Sequence, residues 1–313
     1  MSDYQPAKVP TFYFIGVTTS KSSIITIFPL WAKELNLGEV EIKGMDLPIH
    51  AEPEIYRKAV LFIKNDPLSL GALVTTHKLD LFAACKDIFD EIDSFARDLQ
   101  EVSSLSKKNG KFKAHAKDPI SSGLALEAFV PENFWKDHNG EVLLLGAGGS
   151  SLAISMYLTQ EKFEGNIPSK ITIANRSVPR LKDAEKKLSG RGHISYIHGP
   201  KPEDNDVLIA ALPPYSLIVN ATGLGKDAPG SPTTEAVCYP HDSLIWEINY
   251  RGDLLFMKKA KSQECTKKLH IEDGWVYFIH GWLQVMEEVF HIKIDKPSID
   301  TLRKIACRVN QSK

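Results

Sequence analysis

The chain has 313 residues, of which 43% are hydrophobic and 25% are charged, and its formal net charge is −1. This length is sufficient for two domains, each with a sizeable core. The near-neutral charge argues against a nucleic-acid or membrane-surface partner, because such partners call for an excess of basic residues.

The cysteines and the apolar segments indicate a reduced, cytoplasmic protein. The four cysteines are scattered without CxxC spacing, which predicts free thiols rather than a disulfide frame or a zinc site. No apolar run approaches the length that spans a bilayer, and the first residues lack the basic start and apolar core of a signal peptide. We therefore expect a cytoplasmic protein with no membrane partner and no metal.

Short apolar strands alternate with helical patterns in the first part of the chain. This alternation predicts an α/β domain with parallel strands and helices on the sheet faces. Asn109-Gly110 at the centre of Ser104–Asp118 predicts a β-hairpin. The other predicted elements are the strands Thr11–Gly16, Glu39–Leu47 and Leu70–Thr75, and the helices Ile24–Leu35, Pro53–Asn65, Leu79–Glu91 and Ser122–Phe129.

The segment VLLLGAGGSSLAISMYL, Val142–Leu158, predicts a strand that turns at glycines into a helix. Such a turn directs free N–H groups and the positive end of a helix at one point, which suits a phosphate. Glycine lets a pyrophosphate approach the backbone closely, and Ala153 allows the helix to pack tightly on the strand. The pattern resembles a dinucleotide-binding turn, although glycines also close ordinary strand–helix turns.

Further strands and helices follow this turn, which predicts a Rossmann domain. The strands are Lys170–Ala174, His193–Ile197, Leu217–Asn220 and Leu244–Ile248, and the helices are Pro179–Leu188 and Leu254–Ser262. The helical tail, Trp275–Phe290 and Ile299–Val309, is expected to pack against the first domain. The predicted organisation is a substrate-binding domain of residues 1–122 plus 275–313, and a dinucleotide-binding domain of residues 123–274.

The end of the second Rossmann strand predicts the type of cofactor. An acidic residue there normally binds the ribose hydroxyls of NAD, but this chain has Asn175-Arg176-Ser177, with Arg180 one turn later. A guanidinium can pair with a 2′-phosphate, which favours NADP. Alternatively, Ser177 caps the next helix and Arg176 is a solvated charge. The predicted cofactor-binding residues are Gly146, Ala147, Gly148, Gly149, Ser150, Ser151, Asn175, Arg176, Ser177, Arg180, Asn220, Ala221, Thr222 and Gly223.

Several motifs in chain order resemble the shikimate dehydrogenase family. They are SKS after the first strand, LVTTHK (Leu73–Lys78), Lys117-Asp118, VLLLGAGGSS, IANRS, VNATGLG and EINY. The resemblance runs from Gly16 to about Phe290 and is stronger in the nucleotide domain. It implies an N-terminal α/β domain that binds a cyclic hydroxy acid and a Rossmann domain that binds NADP.

The resemblance implies that Lys78 is the catalytic lysine and Asp118 its partner across the active-site cleft. Reduction of a ketone needs a hydride on carbon and a proton on the developing alkoxide. A lysine ammonium can donate that proton, and a carboxylate can orient it. An ordinary surface salt bridge, or a lysine and an aspartate that never meet, is the alternative interpretation.

The substrate-binding residues follow from the resemblance in the same way. Ser20 and Ser22 match serines that bind the substrate carboxylate, although either could instead cap the helix that begins near Ile24. Gln284 could equally be a polar residue on a packed helix. The full predicted set is Ser20, Ser22, Thr75, Thr76, Ser103, Tyr250 and Gln284.

Several substrate-side positions depart from the family pattern. The lysine motif lacks the usual asparagine and proline, and the asparagine–threonine–aspartate run is Ala116-Lys117-Asp118 here. Ser103 stands where an asparagine is usual, and Ser23 where a proline is usual. These changes put shikimate itself in doubt, because unmatched buried polar groups discriminate strongly between substrates. His77 and Lys117 add positive charge that suits an acidic substrate, although His77 could equally be a bystander.

The sequence therefore predicts an NADP-dependent dehydrogenase for a small shikimate- or quinate-like acid. One alternative keeps the fold but changes the substrate, as in methylene-tetrahydrofolate dehydrogenases. Another is a non-catalytic sensor of a nucleotide or metabolite. Hydrolase and kinase activities are disfavoured, because there is no G-x-S-x-G elbow and no G-K-[ST] after the glycines. The expected state is a monomer or a homodimer.

Overall fold

The computed structural model describes residues 4–225 and 228–311. The chain forms two compact units. The first unit contains the chain up to Lys117 and from Gly281 onward, and the second unit is Asp118–His280. The unit boundaries fall at 117/118 and 280/281, whereas the sequence places the domain boundaries at 122/123 and 274/275.

The strands and helices alternate along most of the chain. The strands are β1 (Thr11–Gly16), β2 (Glu41–Asp46), β3 (Ser69–Val74), β4 (Glu91–Ile92), β5 (Ser104–Lys108), β6 (Lys111–His115), β7 (Val142–Leu145), β8 (Ile171–Asn175), β9 (Ile194–His198), β10 (Leu217–Asn220), β11 (Leu244–Glu247) and β12 (His270–Glu272). The helices are α1 (Ile24–Glu34), α2 (Pro53–Asn65), α3 (Lys78–Cys85), α4 (Ser94–Leu99), α5 (Asp118–Glu127), α6 (Phe134–His138), α7 (Gly149–Leu158), α8 (Val178–Lys187), α9 (Pro202–Ala210), α10 (Leu255–Lys267), α11 (Trp275–Phe290) and α12 (Lys296–Gln311).

The sheet of the first unit is mixed, with the order β2-β1-β3-β5-β6-β4. β1 pairs in parallel with β2 and β3, whereas β5 is antiparallel to both β3 and β6. β1 is buried along its whole length because it is central in this part of the sheet. The C-terminal helices complete this unit, since the Trp31 indole N–H of α1 donates to the Leu302 carbonyl of α12 at 2.9 Å.

The sheet of the second unit is parallel throughout, with the order β12-β11-β10-β7-β8-β9. Counted from β7, this is the 3-2-1-4-5-6 order of the doubly wound fold. The strands β8 and β9 are added on one side of β7, and β10 to β12 are added on the other side, so the strand order reverses between β7 and β10. Ligands bind such sheets at the carboxyl ends of the strands on either side of that point. The fold thus confirms the predicted α/β class with a Rossmann unit.

Several predicted helices differ at their ends from those in the structure: α10 runs to Lys267 rather than Ser262, and α12 begins at Lys296 rather than Ile299. The helix predicted over Leu79–Glu91 ends at Cys85, because Glu91–Ile92 turns back as β4 to pair with β6. The helix predicted over Ser122–Phe129 begins four residues earlier, at Asp118. Within the described part of the chain, no helix combines the length and the apolar character that a membrane span requires.

Candidate active site

The glycine turn between β7 and α7 has the geometry of a phosphate cradle. Gly146 has a φ of +110°, which other residues rarely adopt, and a Cβ there would lie 2.7 Å from the Ala221 carbonyl oxygen. Gly148 is the N-cap of α7, and a Cβ on it would meet no atom within 4 Å. The free N–H groups at the start of α7 are therefore open to a ligand.

A cavity of about 570 Å³ lies along the carboxyl ends of β7, β8, β9 and β10. Its wall includes most of the residues predicted from the sequence to bind a cofactor. Those residues are Gly146, Ala147, Gly148, Asn175, Arg176, Ser177, Arg180, Ala221, Thr222 and Gly223. The position of the cavity beside the strand-order reversal is the one expected for a dinucleotide.

Four predicted cofactor-binding residues do not line this cavity. Gly149 and Ser150 form the first turn of α7. Ser151 is fully buried, and its hydroxyl donates to the Gly146 carbonyl at 2.6 Å. Asn220 is also fully buried, and its Oδ1 accepts from the Thr222 N–H at 3.1 Å. Ser151 and Asn220 therefore support the cavity wall from behind rather than face a ligand.

One end of the cavity is basic. Arg176 and Arg180 lie on its rim after β8, and Lys201 lies there after β9. The two loops are joined, because the Gly199 N–H donates to the Asn175 carbonyl at 3.1 Å. Ser177 is the N-cap residue of α8 but makes no side-chain capping hydrogen bond, so capping does not account for it. None of the described residues that line the cavity is acidic.

Lys78 is the first residue of α3, directly after the carboxyl end of β3, and it is half-buried. Its backbone is fixed at both sides, since its N–H donates to the Thr75 carbonyl at 3.1 Å and its carbonyl accepts from the Val102 N–H at 3.2 Å. Thr75 is half-buried and Thr76 is exposed. The strand-end loop therefore places Lys78 at the edge of the sheet where α/β domains bind ligands.

The His77 side chain is buried and does not reach the surface of this loop. The side chain is 1% exposed, and its Nδ1 lies 3.1 Å from the Tyr56 hydroxyl oxygen. A buried imidazole bonded to a phenol holds the loop against α2. The interpretation of His77 as a buried structural residue is the one that fits.

Asp118 is buried at the start of α5, where the helix dipole favours a carboxylate. The preceding Lys117 is also buried, and its ammonium donates to the Glu288 carboxylate of α11. Burial works to raise the pKa of Glu288, but the hydrogen bond from Lys117 and the nearby His115 hold it below its usual value. The charge of Lys117 is thus neutralised inside the first unit, contrary to the expectation that it attracts an acidic substrate.

Ser103 contacts the segment that contains Lys117 and Asp118. Its hydroxyl oxygen accepts from the Lys117 N–H at 2.7 Å, and the side chain is 3% exposed. This bond ties the end of β6 to the start of β5. Ser103 therefore positions the residues that lead into Asp118.

Ser20 and Ser22 lie in a short loop after β1 whose middle is a 3-10 turn, Thr19–Lys21. Neither serine caps α1, because Ser23 occupies the N-cap position. The loop is held by Asp46 at the end of β2, whose Oδ1 accepts from the Thr19 N–H at 2.8 Å and from its hydroxyl at 2.6 Å. Sequence reasoning missed Asp46, since its partner lies 27 residues away.

Tyr250 and Gln284 lie in different units. Tyr250 packs against the rings of Trp275 and Phe278, with centroid distances of 5.3 and 4.7 Å. The Gln284 amide donates to the Glu287 carboxylate at 2.6 Å along α11. Its role in binding stays a prediction.

The comparisons with known proteins agree with these features. No family model matches the chain. A shikimate dehydrogenase (NADP(+)) from Methanococcus vannielii is 27% identical over 175 residues, which cover 55% of this chain and 57% of that protein. The match to the shikimate dehydrogenase (NADP(+)) of Methanococcus aeolicus covers 62% of its length. The chain thus aligns with somewhat more than half the length of these curated relatives.

Solved structures match over almost the whole chain. Shikimate 5-dehydrogenase from Thermus thermophilus in complex with NADP(H) and shikimate superposes with a TM-score of 0.70 at 18% identity, covering 96% of this chain and 99% of that one. Quinate dehydrogenase from Corynebacterium glutamicum in complex with NAD gives 0.71 at 17% identity, covering 96% and 99%. The resemblance inferred from the motifs is confirmed, and the chain has the two-domain fold of the shikimate dehydrogenases.

Proposed function

We propose that this chain is an NADP-dependent dehydrogenase that transfers hydride between NADP(H) and a secondary alcohol or ketone of a shikimate- or quinate-like cyclic hydroxy acid. The observation that carries the proposal is the cavity of the Rossmann unit. Its glycine turn fits a pyrophosphate, and its far end presents Arg176 and Arg180. A guanidinium pair with no carboxylate among the described lining residues suits a 2′-phosphate and disfavours NAD.

The bound nicotinamide would supply or accept the hydride, and the protein has to manage the accompanying proton. Lys78 is assigned the role of proton donor to the developing alkoxide in reduction and of proton acceptor in oxidation. Asp118 is assigned the role of orienting that ammonium and balancing its charge. The half-buried position of Lys78 and the buried position of Asp118 support these roles, because desolvation strengthens such a pair.

The substrate class follows from the resemblance and from the loop after β1. Two hydroxyls in one short loop, those of the exposed Ser20 and the half-buried Ser22, can donate to a carboxylate. The relatives act on shikimate or quinate according to their names. Ser103 and Lys117 bond within the first unit, so they do not offer the substrate the polar groups that the family pattern has at these positions. This difference favours a related acid with a different set of ring hydroxyls.

The experiment that tests this proposal is a panel of cyclic hydroxy acids, including shikimate and quinate, with NADP and NAD. The appearance of reduced cofactor is followed by its absorbance. We expect turnover with at least one acid and a preference for NADP. Cofactor binding with no turnover across the panel would instead favour a sensor, and turnover of a methylene-folate would favour the folate enzymes of the same fold.

A further inference from the structure

A fully buried carboxylate lies beneath the cofactor cavity of the Rossmann unit. Glu247 is the last residue of β11 and stands in register with Asn220, the last residue of β10. Both side chains are 0% exposed. A buried carboxylate is costly unless hydrogen bonds compensate it, so a residue of this kind has a specific reason to be there.

Three N–H groups surround the Glu247 carboxylate. Its Oε2 accepts from the Asn220 side-chain amide at 2.6 Å. Its Oε1 accepts from the backbone N–H of Asn249 at 2.9 Å and from the Asn249 side-chain amide at 2.7 Å. All three partners are donors, an arrangement that only an ionised carboxylate satisfies completely.

Asn220 links the Glu247 carboxylate to the loop of residues 221–224. Because its amide nitrogen points at Glu247, its Oδ1 faces the loop, where it accepts from the Thr222 N–H at 3.1 Å and the Thr222 hydroxyl at 2.6 Å. The same hydroxyl accepts from the Leu224 N–H at 3.2 Å. The orientation of the Asn220 amide therefore sets the contacts of Thr222. The Asn249 side-chain amide, which also bonds to Glu247, holds the same loop by donating to the Thr222 carbonyl at 3.3 Å and to the Leu224 carbonyl at 3.5 Å.

The loop forms part of the cofactor cradle. Residues 221–224 line the cavity, and the Ala221 carbonyl oxygen lies 2.7 Å from where a Cβ on Gly146 would be. Such close packing transmits any displacement of the loop to the glycine turn. A continuous chain of contacts thus joins Glu247 to the predicted pyrophosphate site.

We propose that Glu247 is a positioning residue for the cofactor: its ionised form holds Asn220 in the orientation that fixes loop 221–224, so NADP(H) affinity depends on the protonation of this carboxyl group. The inference rests on the proposed function, because it assumes that the cavity binds NADP(H). A proton on Glu247 would face the donor amide of Asn220 and drive that amide to rotate. Rotation turns Oδ1 away from Thr222 and releases the loop.

The protonation of Glu247 changes near neutral pH. Burial raises the pKa of Glu247 to about 7, although the hydrogen bonds from Asn249 and Asn220 work in the opposite direction. The charge of Asp273 raises the pKa further, and the buried Tyr239 hydroxyl is a second titratable group that interacts with Glu247. Glu247 is therefore mainly ionised at pH 8 and mainly protonated at pH 6.

The predicted direction of the effect separates this mechanism from simple repulsion. An ionised carboxylate beneath the cavity would repel a polyanionic cofactor, so charge alone would make binding stronger at pH 6. The loop mechanism makes binding stronger at pH 8. The 2′-phosphate, which titrates near pH 6, also favours binding at higher pH, so the test needs a variant in which only the Glu247 contribution is lost.

The test is to titrate the protein with NADPH by fluorescence at pH 6, 7 and 8 for the wild type, Glu247→Gln and the control Glu272→Gln on β12. For the wild type we expect about a tenfold loss of affinity from pH 8 to pH 6, the effect of losing two loop hydrogen bonds. Because glutamine presents an N–H to Asn220, Glu247→Gln should bind weakly at pH 8 and keep only the small phosphate dependence. Glu272→Gln should match the wild type.

The inference would be overturned if Glu247→Gln bound NADPH at pH 8 as tightly as the wild type does. It would also be overturned if the NADPH affinity of the variant changed with pH in parallel with that of the wild type. Absence of NADPH binding to the wild type at pH 8 would overturn the proposed function itself. If Glu247→Gln does not fold, Thr222→Val takes its place, because it removes the hydroxyl that Asn220 holds. Its affinity should fall less between pH 8 and pH 6 than that of the wild type, and an unchanged pH response would count against the inference.

Discussion

At the scale of single residues, the proposed preference for NADP depends most directly on Arg176. Its guanidinium lies on the rim of the cavity after β8, where an NAD-binding chain would have an acid. We expect Arg176→Ala to weaken NADPH binding about 10- to 100-fold, because hydrogen bonds to a charged phosphate are worth about 1.5–3 kcal/mol. NADH has no 2′-phosphate and serves as the internal control. Fluorescence titration measures the affinity of the variant for each cofactor. Equal losses of affinity for NADPH and NADH would contradict the proposal that Arg176 binds the 2′-phosphate.

Lys78 allows a second residue-scale prediction, one that separates chemistry from binding. Lys78→Ala should reduce hydride transfer by at least about 100-fold, the usual contribution of a general acid–base group. NADPH binding should stay within about twofold of the wild type, because Lys78 belongs to the first unit and the cavity to the second. Lys86→Ala, at the end of α3, is the matched control. Undiminished turnover in Lys78→Ala would rule out the proposed proton transfer.

At the scale of elements, the loop after β1 depends on a contact from β2. Asp46 holds Thr19 through two hydrogen bonds and thereby orders the loop that carries Ser20 and Ser22. Asp46→Ala should raise the KM for the acid substrate by up to about 30-fold, since two bonds of about 1 kcal/mol each are lost. Asp46→Asn retains an acceptor oxygen and should recover most of the affinity. An unchanged KM in Asp46→Ala, with the NADPH affinity also unchanged, would remove the loop from substrate binding.

The elements also show which features a sequence can predict. The glycine turn was predictable because its cause is local: a strand, a residue with positive φ at Gly146 and the first turn of α7 follow one another directly. The end of α3 was not predictable, because the apolar spacing continues past Cys85 although the helix ends there and the two-residue strand β4 follows. That strand exists only through its pairing with β6, a contact that no local pattern shows.

At the scale of the whole molecule, sequence motifs identify only part of the candidate site. Ten of the residues that line the cavity come from motifs at strand ends, so their spacing revealed them, whereas Lys201 and Asn205 on the same wall were not predicted. The contacts that hold those motifs in place were missed: Glu247 of the EINY motif bonds to Asn220 across 27 residues, and Lys117 bonds to Glu288 across 171. Such partners become visible only when the sheet and helix packing bring distant strand ends together.

The burial of Glu247 should also affect the stability of the whole Rossmann unit. Its pKa rises from 4.5 to about 7 on folding, so its contribution to the free energy of unfolding is fully present below pH 4.5 and is lost as the pH rises through 7. The shift corresponds to a loss of about 3 kcal/mol. Glu247→Gln carries no charge and should not show this loss.

The measurement is urea denaturation of the wild type and Glu247→Gln between pH 5 and pH 8. The transition of the Rossmann unit is identified by its shift on addition of NADPH, because a ligand stabilises only the unit that binds it. We expect the free energy of unfolding of the variant, relative to the wild type, to increase with pH up to about 7 and to level off above it. Parallel curves would mean that the carboxyl group titrates at its ordinary value, and the ionised form would then support the cofactor loop throughout the neutral range without acting as a switch.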